Sequence, residues 1–390
     1  MPIIPEVLES LDELTQIRRD IHAHPELGFE EERTADIVAA KLKEFGCEVH
    51  RGLATTGVVG TLQRGNSLRA IGLRADMDCL PMQELNEFPH RSTHTGKMHA
   101  CGHDGHTTML LGAAQYLSKT KNFDGTVHFI FQPGEEGYGG GRVMVQQGLF
   151  EKFPCDAVFA MHNKPGIPVG HFATRAGALL AATDRFDITV RGQGVHAAYP
   201  QGGVDPFVAS AQIVTTLQSI VARNIDPIDA AVVTVAFMRG GSAYNVIPDE
   251  VEIGGTVRTF RPQTQDLVER RMREIIAGVA AACGATAKFA YHRNYPPTVN
   301  HAAEAEFACD VVAEVFGDDK VDRNVSPTLG GEDFSYMLQA VPGAMMWLGN
   351  GSGEGGCFLH NSTYDFNDEV IPLGAGYMAA LAEQALPMTR

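Results

Sequence analysis

The chain reads as an open, mostly parallel α/β sheet interrupted by an inserted ferredoxin-like α+β domain. Three observations predict this. Between Leu68 and Met161, short apolar strands alternate with helices, the signature of a parallel sheet covered on both faces. Between Thr183 and Pro297, the order becomes β-α-β-β-α-β, the ferredoxin-like unit. The residues able to bind metal follow the apolar strands of the first pattern, at the carboxyl ends where open α/β sheets hold ligands.

Pro5–Ala23 has helical periodicity, and Glu31–Phe45 predicts a second helix stopped by Gly46. Strand Leu68–Ala75, helix Thr107–Leu117, strand Thr126–Phe131, helix Arg142–Phe150 and strand Ala157–Met161 follow. The inserted domain is read as strand Arg185–Arg191, helix Pro206–Ala222, strands Ala231–Met238 and Glu250–Phe260, helix Gln265–Cys283 and strand Thr286–Arg293, with Pro296-Pro297 at its exit. Helix, a Gly-Gly-Glu-Asp turn at 330–333, strand Ala344–Leu348 and a loop with His360 then return to the first sheet. The expected division is residues 1–182 with 298–390 as a catalytic domain, and 183–297 as the insert.

A formal net charge of −16, with no basic patch in the sequence, argues against a nucleic-acid partner and equally against an anionic membrane surface. No apolar run reaches the ~20 residues of a membrane span. Met1–Leu14 lacks a signal-peptide core, so a cytoplasmic protein is expected. The seven cysteines, scattered and odd in number, read as reduced thiols, and only Cys101 stands among ligand-type neighbours.

The chemistry concentrates in His99-Ala100-Cys101-Gly102-His103-Asp104-Gly105-His106, where five of eight residues can bind a metal or move a proton. Gly134-Glu135-Glu136-Gly137, His162 and His360 add to it. Thiolate, imidazole and carboxylate in Gly-rich turns suit a borderline-soft divalent metal. The set exceeds one tetrahedral ion, which predicts two ions sharing ligands, a hydrolytic device. Taken alone, Cys-x-His would read as a buried cysteine beside a structural histidine, and His162 as a satisfied core residue. The density of histidines and the strand-end positions favour ligation. Consecutive glutamates point differently, so one can ligate while the other holds water and shuttles its proton. Asp104, His99 and His106 are read as groups orienting the ligands, Asp78 likewise, and Asp76 is left open.

These residues, with Arg18-Arg19-Asp20-Ile21-His22-Ala23-His24-Pro25-Glu26-Leu27-Gly28, Arg74-Ala75-Asp76-Met77-Asp78, Gln132-Pro133-Gly134-Glu135-Glu136, Gly194-Val195-His196-Ala197-Ala198, Asn245-Val246-Ile247-Pro248 and Gly330-Gly331-Glu332-Asp333-Phe334, form a set. As a set it resembles the aminoacylase-like dinuclear metallopeptidases, in the branch of hippurate hydrolases, N-acyl-amino-acid amidohydrolases and auxin-conjugate hydrolases. The resemblance covers nearly the whole chain. It implies metal ligands Cys101, His103, Glu136, His162 and His360, with Glu135 as general base. It implies that the insert is a lid and dimerisation domain whose His196 reaches an active site across a homodimer, and that Asn245 and Arg258 handle substrate. The ions expected are Zn²⁺ or Mn²⁺, with Co²⁺ or Ni²⁺ as alternatives. The expected reaction is hydrolysis of N-acyl or N-aroyl amino acids. Alternatives are a peptidase of dipeptidase or carboxypeptidase type, a hydrolase with Cys101 as nucleophile and His103 as base, and a metal-binding protein without turnover.

Overall fold

The computed structural model describes residues 4–352 and 358–388, so Cys357 lies outside the described residues. The chain divides into two compact units, one built from residues up to Leu179, Val299–Ser326 and the stretch from Asp333 onward, the other from Leu180–Thr298 with Pro327–Glu332.

An eight-stranded sheet organises the first unit, in the order Glu48–Leu53, Gly57–Arg64, Gly125–Gln132, Ala70–Asp76, Ala157–Lys164, Gly343–Gly349, Phe172–Ala173, Val321–Asp322. Its four central strands run parallel and read in sequence as continuous apolar runs, because both their faces are covered. At one edge Glu48–Leu53 and Gly57–Arg64 pair antiparallel. Neither strand stands out in the sequence. Glu48–Leu53 is mostly exposed and has no apolar alternation, and Gly57–Arg64 is interrupted by Gly60, whose missing side chain admits Leu42. The sheet is thus parallel in its middle and mixed at its edges.

Helix His103–Thr120 is buried on nearly every side. It packs against strand Ala70–Asp76 and against helices Leu11–Ala23, Glu32–Glu44 and Ile371–Ala385, within a core that includes Leu14, Val38, Leu42, Leu110, Phe129 and Leu381. A helix enclosed in this way gives a rigid base to whatever its first turn carries. It begins at His103 rather than Thr107, because Gly102 adopts φ +89° as its N-cap and lets the chain turn straight into the helix. The stretch expected as one helix, Arg142–Phe150, is two, Gly140–Gln146 and Leu149–Lys152, separated at Gly148 with φ +84°.

The second unit is a four-stranded antiparallel sheet, in the order Ala231–Gly240, Glu250–Thr259, Ala182–Arg191, Thr286–Tyr295, with helices Pro206–Arg223 and Pro262–Ala282. Ala182–Arg191 alternates buried and exposed residues, as a strand covered on one face should. Ile188, Val190, Ile213, Leu217, Val251, Ile253, Met272 and Ile276 fill its core. The strand order is that of the ferredoxin-like unit read from the sequence.

Candidate metal centre

The parallel strands deliver their carboxyl ends to one place, and the chain turns there bring the ligand-type residues together. Sγ of Cys101 and ring nitrogens of His103 and His162 all lie within 4.8 Å of one another. The same limit holds for Cys101, Glu136 and His360, and for His103, Glu135 and Glu136. Cys101 therefore belongs to two donor groups at once, a geometry that suits two cations sharing one thiolate. His162 Nε2 stands 3.4 Å from Cys101 Sγ, and His360 Nε2 stands 3.4 Å from Glu136 Oε1.

The buried donors fit a metal. Among the described residues, His103 Nε2 and Glu136 Oε1 are buried with no hydrogen-bond partner, a costly state for polar atoms unless a cation satisfies them. The imidazoles are held in the required tautomer by their other nitrogens. His103 Nδ1 donates to the Asp78 carbonyl at 2.9 Å, and His162 Nδ1 donates to the Asn163 carbonyl at 2.7 Å, so each leaves an Nε2 lone pair facing the cluster. Burial, with His106 beside it, holds the His162 imidazole well below its usual pKa and keeps that lone pair unprotonated. Burial and the neighbouring Glu136 push the Cys101 thiol up, so a cation is the partner that would keep it ionised.

Local geometry fixes each donor. A Cβ on Gly102 would lie 2.3 Å from Asn163 Nδ2 and 2.6 Å from the Tyr364 hydroxyl, so only glycine fits the turn between Cys101 and His103. The Asp78 carboxylate accepts the backbone N–H groups of Glu135 and Glu136, both at 2.9 Å, and pins the turn that presents the two acids. Glu135 is buried, and its Oε1 accepts the Asp333 N–H at 3.3 Å. His360 has φ +59° and donates its backbone N–H to the Ala100 carbonyl, which ties the C-terminal loop to the ligand turn.

Asp76, left open above, accepts from His106 Nδ1 at 2.6 Å and from Arg74 at 2.8 Å. Burial works against its charge, but His103 and Arg74 beside it hold its carboxyl well below the usual range. His106 Nε2 in turn accepts the Asn163 N–H at 2.9 Å, and Asn163 Nδ2 donates to the Cys101 carbonyl at 2.7 Å. His106 thus reaches the ligand turn through Asn163, and its ring also meets the His162 imidazole edge-on, 4.4 Å between centroids.

Two expected supporting roles need correction. Asp104 orients no ligand ring; it pairs with His22 at 2.8 Å and lies 3.5 Å from Arg18. His99 is fully buried, with both ring nitrogens lacking a hydrogen-bond partner among the described residues. The helix start explains the first. With His103 in the first turn, Asp104 projects toward helix Leu11–Ala23, away from the imidazoles.

His196, Asn245 and Arg258 belong to the second unit. His196 pairs with Val246 in a short two-stranded ribbon, and the Ala197 N–H donates to the Asn245 carbonyl at 2.9 Å, so the ribbon brings His196 and Asn245 side by side. Both are exposed. His196 Nδ1 accepts the Ala198 N–H at 3.1 Å, which puts the ring proton on Nε2. Arg258 lies on strand Glu250–Thr259 and donates to the Leu329 carbonyl at 3.2 Å.

Sequence reasoning assigned no role to Asn163, Arg18 or His22. Asn163 directly follows a candidate ligand, and Arg18 and His22, spaced i, i+4, carry charge on a helix face that is otherwise buried. That spacing was the available signal.

A parallel α/β sheet with a cysteine shared between two donor groups, joined to a ferredoxin-like insert, defines a class of dinuclear metallohydrolase. The chain belongs to peptidase family M20/M25/M40, whose model matches residues 72–384. It is 44% identical over 382 residues to the hippurate hydrolase of Campylobacter jejuni subsp. jejuni, covering 98% of this chain and 99% of that protein. It is 41% identical over 384 residues to the IAA-amino acid hydrolase ILR1-like 2 of Arabidopsis thaliana, covering 97% of this chain and 86% of that one. The solved structure of a dinuclear metal-binding M20 peptidase from Bacillus subtilis superposes with a TM-score of 0.85 at 34% identity, covering 97% of this chain and 99% of that chain. No helix among the described residues is long and apolar enough to cross a membrane.

Proposed function

We propose that this protein is a metal-dependent amidohydrolase that cleaves N-acyl or N-aroyl amino acids, hippurate among them, to a carboxylic acid and an amino acid. The observation that carries the reading is the double membership of Cys101 in two donor groups with the Glu135 carboxylate beside them. In this reading Cys101, His103, Glu136, His162 and His360 hold two divalent ions, Zn²⁺ or Mn²⁺ first, Co²⁺ or Ni²⁺ as alternatives. Such ions lower the pKa of water and polarise an amide carbonyl.

An amide nitrogen leaves only once protonated. Glu135, fixed by Asp78 at its backbone and by the Asp333 N–H at its side chain, takes the proton of the attacking water and passes it to that nitrogen. His196 Nε2–H is the donor for the developing oxyanion, supplied from a partner subunit in a homodimer. Asn245 and Arg258 face the substrate carboxylate, for which a guanidinium fork is suited. A cytoplasmic location is part of the same proposal.

The test is hydrolysis of hippurate, its methyl ester and its amide by metal-reconstituted protein, together with elemental analysis. The expected result is two ions per chain, loss of activity on chelation with recovery on adding metal, and a preference for the free acid of about 10²-fold or more. Hydrolysis of dipeptides in preference to every N-acyl amino acid would move the reading to a peptidase. Full activity without metal would restore the Cys101 nucleophile.

A further inference from the structure

One cation beside the metal cluster is unused by this mechanism. Lys164 ends strand Ala157–Lys164, two residues beyond His162. Side chains two apart on a strand share a face, so Lys164 and His162 project to the same side of the sheet. In the adjoining parallel strand, Trp347 stands opposite His162 and Gly349 opposite Lys164. The Lys164 ammonium lies over the Trp347 ring, 4.9 Å from the centroid. The same ring meets the His162 imidazole edge-on at 5.5 Å. The His162 imidazole, the indole and the ammonium therefore form one continuous surface.

Lys164 is partly buried, yet among the described residues its ammonium has neither a carboxylate partner nor a hydrogen-bond acceptor. The indole face compensates only in part, since such a contact contributes about 0.5–2 kcal/mol. An ammonium given a fixed seat but no anion is a site waiting for one. We propose that Lys164 is an anion-binding group of the catalytic centre, receiving a carboxylate of the substrate or product. The proposal rests on the amidohydrolase reading. Two carboxylates have the right chemistry, the α-carboxylate of the amino-acid half and the one formed from the acyl group when the amide is cut.

The experiment compares the metal-loaded wild type with Lys164→Met, and with Lys164→Arg as the charge-conserving control. The readouts are kcat/KM on hippurate and hippuramide, inhibition by benzoate, metal content, and emission of Trp347, the single tryptophan of the chain. If the α-carboxylate is the ligand, Lys164→Met loses about 10–10²-fold on hippurate, leaves hippuramide within about threefold, and Lys164→Arg recovers part of the loss. If the nascent carboxylate is the ligand, the acid-to-amide ratio holds, benzoate inhibition weakens by about tenfold or more, and benzoate no longer perturbs Trp347 emission. Equal losses on acid and amide with unchanged benzoate inhibition would overturn the proposal, as would no change at all. Should Lys164→Met not fold, Lys164→Gln provides the same comparison. A wild type that hydrolyses no N-acyl amino acid would count against the amidohydrolase reading instead, and benzoate binding read at Trp347 would still decide the role of Lys164.

Discussion

At the scale of single residues, the site separates donors that lack partners from acids that have them. Among the described residues, His103 Nε2 and Glu136 Oε1 are buried without a hydrogen-bond partner, whereas Glu135 accepts a backbone N–H from Asp333. A side chain already held by a neutral donor is the better candidate for moving a proton, because it need not be displaced by an ion. Glu135→Gln retains the acceptor oxygen and removes the basicity. It is expected to keep both metals and the native melting temperature while turnover falls by about 10²–10⁴-fold. Near-normal kcat with full metal content would remove Glu135 from that role.

Elements are held in register by a buried polar network behind the ligand helix. On helix Leu11–Ala23, His22 donates from Nδ1 to Asp104 and from Nε2 to Glu84, while Arg18 binds Asp365 and Asp368, each at 2.7 Å. Burial disfavours the charge on His22, but Asp104 and Glu84 outweigh it and raise its pKa to about 9. The folded state therefore binds a proton more tightly than the unfolded chain, where a histidine titrates near 6.5. The stabilisation from this group is fully present below about pH 6.5, declines as pH rises, and is gone above about pH 9. Denaturant melts of wild type and His22→Gln should differ by about 3 kcal/mol near pH 6 and converge toward pH 9. A difference that does not change with pH would show that His22 is neutral in the fold.

At the scale of the whole molecule, the proposed function needs a group from the second unit, and His196 presents its Nε2–H on an exposed ribbon. If that donor serves the partner of a homodimer, His196→Ala and Glu135→Gln are defective in different halves of one composite site. Mixing the two inactive variants under conditions of subunit exchange is expected to restore up to about a quarter of wild-type activity, since a mixed dimer has one site with both groups intact. Absence of any regain, with exchange demonstrated by mass or by differential labelling, would place His196 in its own chain's chemistry or outside it.

The sequence by itself determined the strand–helix alternation, the β-α-β-β-α-β insert and the candidate ligands, because each is written in a local pattern. Apolar runs mark the parallel strands, and dense Cys/His and Glu-Glu turns mark the strand ends. Tertiary structure alone decided what those patterns share. It made Cys101 common to two donor groups, assigned Asp78 to the backbone of Glu135 and Glu136, and joined Asp76 through His106 and Asn163 to the Cys101 carbonyl. It also turned Asp104 away from the ligand rings toward His22, and set Lys164 on Trp347 across two strands 183 residues apart in sequence, the interval from 164 to 347. Local patterns follow from backbone geometry within a few residues. Hydrogen-bond partnership and charge compensation depend on which distant strand ends the sheet order makes neighbours.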